Sequence, residues 1–134
     1  MRTAELAAFR LSAWPKPVGP ALKAGWPLIR RTRPGDARTP PLQDGSVWLL
    51  DPGAGQGVAH DWRRQPVDAR NALVAGGLTS GNVAEIIALT AARGVDVSSG
   101  VEGPQGEKDP VAIAHFCAEA RRAFARLHQS VAAV

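Results

Sequence analysis

The chain has one cysteine, Cys117, so no internal disulfide can form, and a lone thiol suits a reducing cytoplasm. With only three scattered histidines beside it, no metal-ligand cluster is visible, and neither a metal nor another cofactor is expected. Aromatic residues make up only 5% of the sequence, and no stacking platform for a nucleic acid stands out. No apolar run approaches the roughly 18 residues of a membrane span. The start, Met1-Arg2-Thr3-Ala4-Glu5, lacks the apolar core of a signal peptide. A cytoplasmic protein with no membrane and no nucleic-acid partner is therefore expected. Length is scarce too: 134 residues support one domain with a modest core.

What charge there is lies at one end. Residues 1–46 carry eight Lys/Arg against three Asp/Glu, and residues 47–134 carry eight against nine, which accounts for the net +4. The basic run Arg30-Arg31-Thr32-Arg33 reads as a solvated face. The composition divides the chain into a Pro/Arg-rich segment, 1–46, divergent or truncated, and a nearly neutral, regularly patterned region, 47–134.

Residues 3–11 read as a short helix, ended by the prolines at 15, 17 and 20. Ala21–Gly25 reads as one helical turn with Gly25 as its stop, and Trp26–Arg33 as a strand. The prolines between Pro34 and Ser46 make a long helix there improbable. Val47–Asp51 is an apolar strand ending in a carboxylate, followed by a Gly-rich loop at 52–57 expected to be mobile. That loop lacks the Lys-Ser/Thr of a Walker-type phosphate site. Asp61 and Trp62 read as structural residues that start a helix.

The regular region is organised around Ala72-Leu73-Val74-Ala75-Gly76-Gly77-Leu78-Thr79 and, twenty residues on, Gly94-Val95-Asp96-Val97-Ser98-Ser99-Gly100-Val101-Glu102. Each begins as a short apolar run expected to be a buried parallel strand and breaks into small residues before a helix. A Gly-Gly pair alone is most simply a turn. Two neighbouring strand ends that both bare backbone N–H groups, one with serine hydroxyls, suggest a phosphate site. Thr79 is expected to cap a helix running to about Arg93 and stopped by Gly94, with Val83, Ile86, Ile87 and Thr90 facing inward. Asp109-Pro110 should open the last helix, with Ile113, Phe116, Ala120, Ala123, Phe124 and Leu127 packed inward and His115 and His128 facing solvent. Cys117 reads as a boundary residue without a catalytic role.

The blocks Gly76-Gly77-Leu78-Thr79, Gly81-Asn82-Val83-Ala84, Val95-Asp96-Val97-Ser98-Ser99-Gly100-Val101-Glu102, Gly106 and Lys108-Asp109-Pro110 resemble the C-terminal part of phosphoribosylanthranilate isomerases of tryptophan biosynthesis. The resemblance is close from about residue 47 to 128. It implies an α/β fold, a partial TIM (β/α)8 barrel of about four βα units corresponding to strands five to eight. It further implies Asp51 as general acid, and a substrate phosphate held by Gly76, Gly77, Ser98, Ser99 and Gly100, with Asp96 beside it. The family's base, a cysteine in a Lys-Ile-Cys-Gly-like motif on the first strand, has no counterpart here. Its arginine from the second βα loop has none either. The resemblance thus implies an Amadori-type isomerase incomplete in this chain, or a non-catalytic half-barrel. The partners expected are a small phosphorylated sugar and either a second copy of the chain or a complementary half-barrel, because a four-stranded arc leaves two edges open.

Overall fold

The computed structural model describes residues 23–34, 39–53, 60–65 and 67–133. The helix expected at 3–11, the proline segment after it, residues 21–22 and most of the Gly-rich loop lie outside these. Four strands form one parallel sheet in sequence order: β1 (Ile29–Thr32), β2 (Val47–Leu50), β3 (Ala72–Val74) and β4 (Gly94–Val95). Helix α1 (Val83–Thr90) joins β3 to β4, a 3-10 turn spans Ser99–Val101, and α2 (Pro110–Ala132) follows. This is the expected α/β arc of strand-helix units. Residues 39–46 hold no helix, in keeping with their prolines.

Register sorts the residues between two faces, because side chains alternate along a strand. Trp48, Leu50, Ala72, Val74 and Val95 join one core cluster with Val83, Ile86 and Ile87 of α1 and Phe116, Ala120 and Ala123 of α2. Arg31, Leu49, Leu73 and Gly94 are register partners on the opposite face. A Cβ at Gly94 would stand 2.7 Å from Leu73 Cδ2, so glycine lets that leucine lie across the last strand. The expectation of two buried strands holds for β3 but not for β4. As an edge strand of two residues, β4 is only half-buried.

Both helices depart from the sequence reading in detail. Helix α1 starts at Val83, with Asn82 rather than Thr79 as its cap residue. Asn82 Nδ2 donates to the Gly77 carbonyl at 2.9 Å while its Oδ1 accepts from the Thr79 N–H at 2.8 Å, so residues 79–82 are held as a turn. The helix ends at Ala91, in the left-handed region at φ 49°, and not at Gly94. The Thr90 carbonyl is already taken by the Ala69 N–H at 2.8 Å, and the Arg93 N–H binds the Ala69 and Ala72 carbonyls at 3.0 Å. These bonds turn the chain early and deliver Gly94 to the sheet. The four inward residues of α1 are all buried as expected.

The start of α2 agrees with expectation: Asp109 Oδ1 accepts from the Val111 and Ala112 N–H groups at 2.8 and 3.3 Å. Phe116, Ala120 and Ala123 are buried, Phe124 and Leu127 pack against the core, and His115 and His128 are exposed. Ile113 is an exception, 38% exposed. Trp62 is buried in the core, but the helix expected after it is a single turn in the described residues. Asp61 Oδ1 accepts from the Arg63 and Arg64 N–H groups, and Pro66 disfavours a helical conformation in the residue before it.

The Arg63 guanidinium grips Glu85 with two hydrogen bonds, at 2.6 and 2.8 Å, tying the 61–65 turn to α1. That hydrogen bonding holds the Glu85 carboxyl below its ordinary value. A carboxyl lowered in the folded state adds stability above its unfolded pKa and loses it as pH falls through the folded one. Acid titration of Glu85→Gln should therefore show a shallower loss of stability below pH ~4.5 than the parent chain. An unchanged acid limb would show that the pair contributes nothing. Leu50, fully buried, should cost about 2–5 kcal/mol on replacement by alanine in urea denaturation. Val131→Ala, at a residue 70% exposed, should stay within about 0.5 kcal/mol.

Candidate functional site

Three successive strands end in step. Just past each, a backbone N–H bonds to the last residue of the strand before: Asp51 to Thr32 at 3.0 Å, Ala75 to Leu50 at 2.9 Å, and Asp96 to Val74 at 2.9 Å. The loops that follow therefore gather at the C-terminal ends of the strands, which in parallel α/β sheets is where ligands bind.

The two small-residue loops meet there. A Cβ on Gly100 would stand 1.7 Å from the Leu78 carbonyl oxygen, so the 3-10 turn lies against the Gly76–Leu78 loop and only glycine fits. Gly76 and Gly77 both have positive φ, 89° and 68°, a conformation other residues adopt at a cost. A Cβ at Gly76 would also come within 2.6 Å of the Pro52 ring and 3.7 Å of Asp51 Oδ1. Asp51 is thus a direct neighbour of the first glycine. Among the described residues, the backbone N–H groups of Gly76, Gly77, Ser99 and Gly100 donate to no protein acceptor. Four such donors on two abutting loops are what an anion site requires.

Asp51 is buried, and its carboxylate is engaged on both oxygens. Oδ2 lies 3.0 Å from Nε of Arg31, whose own side chain is half exposed, and Oδ1 accepts from the Gly53 N–H at 3.2 Å. The Asp96 backbone extends the pairing of β4 with β3. Ser98 turns its carbonyl and hydroxyl oxygens to the Lys108 ammonium, at 3.0 and 3.3 Å, and Ser99 is exposed. Asp51, Gly76, Gly77, Asp96, Ser98, Ser99 and Gly100 are therefore all at the same end of the sheet. Cys117 lies on α2, partly buried. Three residues given no role by the sequence reading stand close by. Arg31 ends on Asp51, Asn82 holds the Gly77 carbonyl, and Lys108 holds Ser98. Asn82 and Lys108 were visible inside the resembling blocks; Arg31 gave no signal beyond its place in a basic run.

The family model for N-(5'-phosphoribosyl)anthranilate isomerase matches residues 19–119. The chain belongs to this family. An isomerase of that name from Rhodopseudomonas palustris (strain TIE-1) is 51% identical over 73 residues, covering 52% of this chain and 33% of the relative. One from Pyrococcus furiosus is 48% identical over 75 residues, 54% of this chain and 36% of the relative. Among solved structures, TrpF from Jonesia denitrificans aligns with TM-score 0.53 and 40% identity over 71% of this chain and 49% of its own. The phosphoribosyl anthranilate isomerase of Thermococcus kodakaraensis gives 0.52 and 32%, over 77% and 57%. The chain thus spans about a third of the curated relatives it matches and about half of these solved ones. The partial barrel expected from sequence agrees with both.

Among the described residues, no group of three or more His, Cys, Asp or Glu could hold a metal, and no helix is long and apolar enough to cross a membrane. The tight contact at Gly100 predicts that Gly100→Ala, which adds one methyl, costs at least about 2 kcal/mol in chemical denaturation. A loss below 0.5 kcal/mol would show that the two loops do not abut.

Proposed function

We propose that this chain supplies the phosphate-binding half of a phosphoribosylanthranilate isomerase site. The observation that carries the reading is the contact of the Gly76–Leu78 loop with the Ser99–Val101 turn, which collects four backbone donors with no acceptor among the described residues beside a buried carboxylate. The phosphate is a remote handle whose binding energy fixes the sugar. Asp51, next to Gly76, is then placed at the sugar to act as general acid on the ribose ring oxygen, opening the ring to a Schiff base. Removal of the C2 proton by a base and transfer of a proton give the 1-deoxyketose, 1-(2-carboxyphenylamino)-1-deoxyribulose 5-phosphate.

This chain lacks the base cysteine of the family motif, and Cys117 is on the wrong element to replace it. A second reading, binding of a phosphorylated sugar without turnover, is favoured by the Arg31–Asp51 ion pair. Under either reading β1 and β4, the sheet's outer strands, are the edges that a second copy or a complementary half-barrel would cover.

Calorimetry of the chain with ribose 5-phosphate and with ribose tests the shared claim. The phosphorylated sugar should bind at millimolar concentration or below, and ribose should not. Equal behaviour of the two sugars would overturn the phosphate site. Turnover of N-(5-phosphoribosyl)anthranilate, abolished in Asp51→Asn with ribose 5-phosphate affinity nearly unchanged, would separate the isomerase from the binding-only reading.

A further inference from the structure

The segment that follows the 3-10 turn folds back on it. Glu102 and Lys108 form an antiparallel bridge, the Gly103 N–H donates to the Glu107 carbonyl at 2.8 Å, and the Asp109 N–H donates to the Val101 carbonyl at 3.0 Å. This small hairpin carries the Lys108 ammonium to Ser98, where it donates to the carbonyl at 3.0 Å and to Oγ at 3.3 Å. Its third interaction is an ion pair with Glu102, on the first arm of the same hairpin. An ammonium has three donors and no acceptor. A hydroxyl that accepts from it must turn its own proton elsewhere.

We infer that Lys108 is a positioning residue of the anion site: it fixes the Ser98 hydroxyl as a donor and pins the turn carrying the Ser99 and Gly100 N–H groups. The inference rests on the phosphate site proposed above, and adds to it a residue outside the two loops. Ser98 alone could rotate its hydroxyl to accept or to donate. With Lys108 on Oγ and on the carbonyl, accepting is satisfied within the protein and the O–H is left for a phosphate oxygen. The ammonium also places positive charge behind the turn, and its pair with Glu102 lies on the first arm of the hairpin. Every group involved lies between residues 98 and 109, so the device does not depend on the rest of a barrel.

Calorimetry with ribose 5-phosphate on the full chain compares the parent with Lys108→Met, Ser98→Ala and the double variant, each shown folded by circular dichroism. Each single change should weaken binding roughly tenfold, the scale of one hydrogen bond to a charged group. The double variant should bind no more weakly than Lys108→Met alone, because without Lys108 the Ser98 hydroxyl is no longer held as a donor. Lys108→Arg, which keeps the cation and its donors, should recover most of the affinity. Glu102→Gln, which leaves Lys108 on Ser98, should bind at least as tightly as the parent. Binding within twofold of the parent in Lys108→Met, or losses that simply multiply in the double variant, would overturn the inference and leave the phosphate site standing. If Lys108→Met does not fold, weakened binding in Glu102→Gln or unweakened binding in Ser98→Ala would overturn it instead. A parent chain that binds no ribose 5-phosphate overturns the underlying site, an outcome independent of every variant.

Discussion

The hydrogen at the Cα of Gly100 lies where the Leu78 carbonyl leaves no room for a methyl group, and the C-terminal end of the sheet is arranged around that contact. It sets the distance between the loops after β3 and β4, and with it the spacing of the four backbone donors. A side chain at Gly100 would hold the loops apart. Positive φ at Gly76 and Gly77 serves the same end, letting the chain leave β3 close to Asp51 and Pro52.

Around this contact, ordinary hydrogen bonding does the positioning. The ladder bonds just past β2, β3 and β4 bring Asp51, Ala75 and Asp96 level. Asn82 ties the Gly77 carbonyl to the turn before α1, and Lys108 ties Ser98 to the hairpin before α2. Each small-residue loop is therefore held from outside by one polar side chain, while the N–H groups of Gly76, Gly77, Ser99 and Gly100 meet no acceptor among the described residues. Shortening α1 to eight residues is part of the same arrangement, since its missing first turn is the turn that Asn82 organises.

Family membership and the limited span of the match belong together. The match covers about a third of the curated relatives, and the sheet described is four strands in sequence order. The Arg31–Asp51 pair joins the two neighbouring strand ends of β1 and β2. An exposed ion pair contributes little, but burial of one partner raises the cost of separating it. Replacing Arg31 alone would remove one of the partners of that buried carboxylate.

Local sequence determined which segments become elements. The apolar runs at 47–50 and 72–74, the inward stripe of α1 and the Asp109-Pro110 start of α2 need only nearest neighbours and periodicity to be read. The motif Val-Asp-Val-Ser-Ser-Gly-Val-Glu with its Gly-Gly partner carried the family and the candidate loops, because close backbone approach restricts residue choice within a few positions. Only tertiary structure decided where α1 begins and ends, since Asn82 and Thr90 bind groups outside the helix. Ile113 shows the same limit: helical spacing put it on the inner stripe, yet the described structure leaves it exposed. The pairing of Arg31 with Asp51, twenty positions apart, and the grip of Lys108 on Ser98 also had to wait for the fold. A hydrogen bond or ion pair depends on direction and distance at the side-chain tip. Those are set by the packing of neighbouring strands and turns, which residue type and spacing leave open.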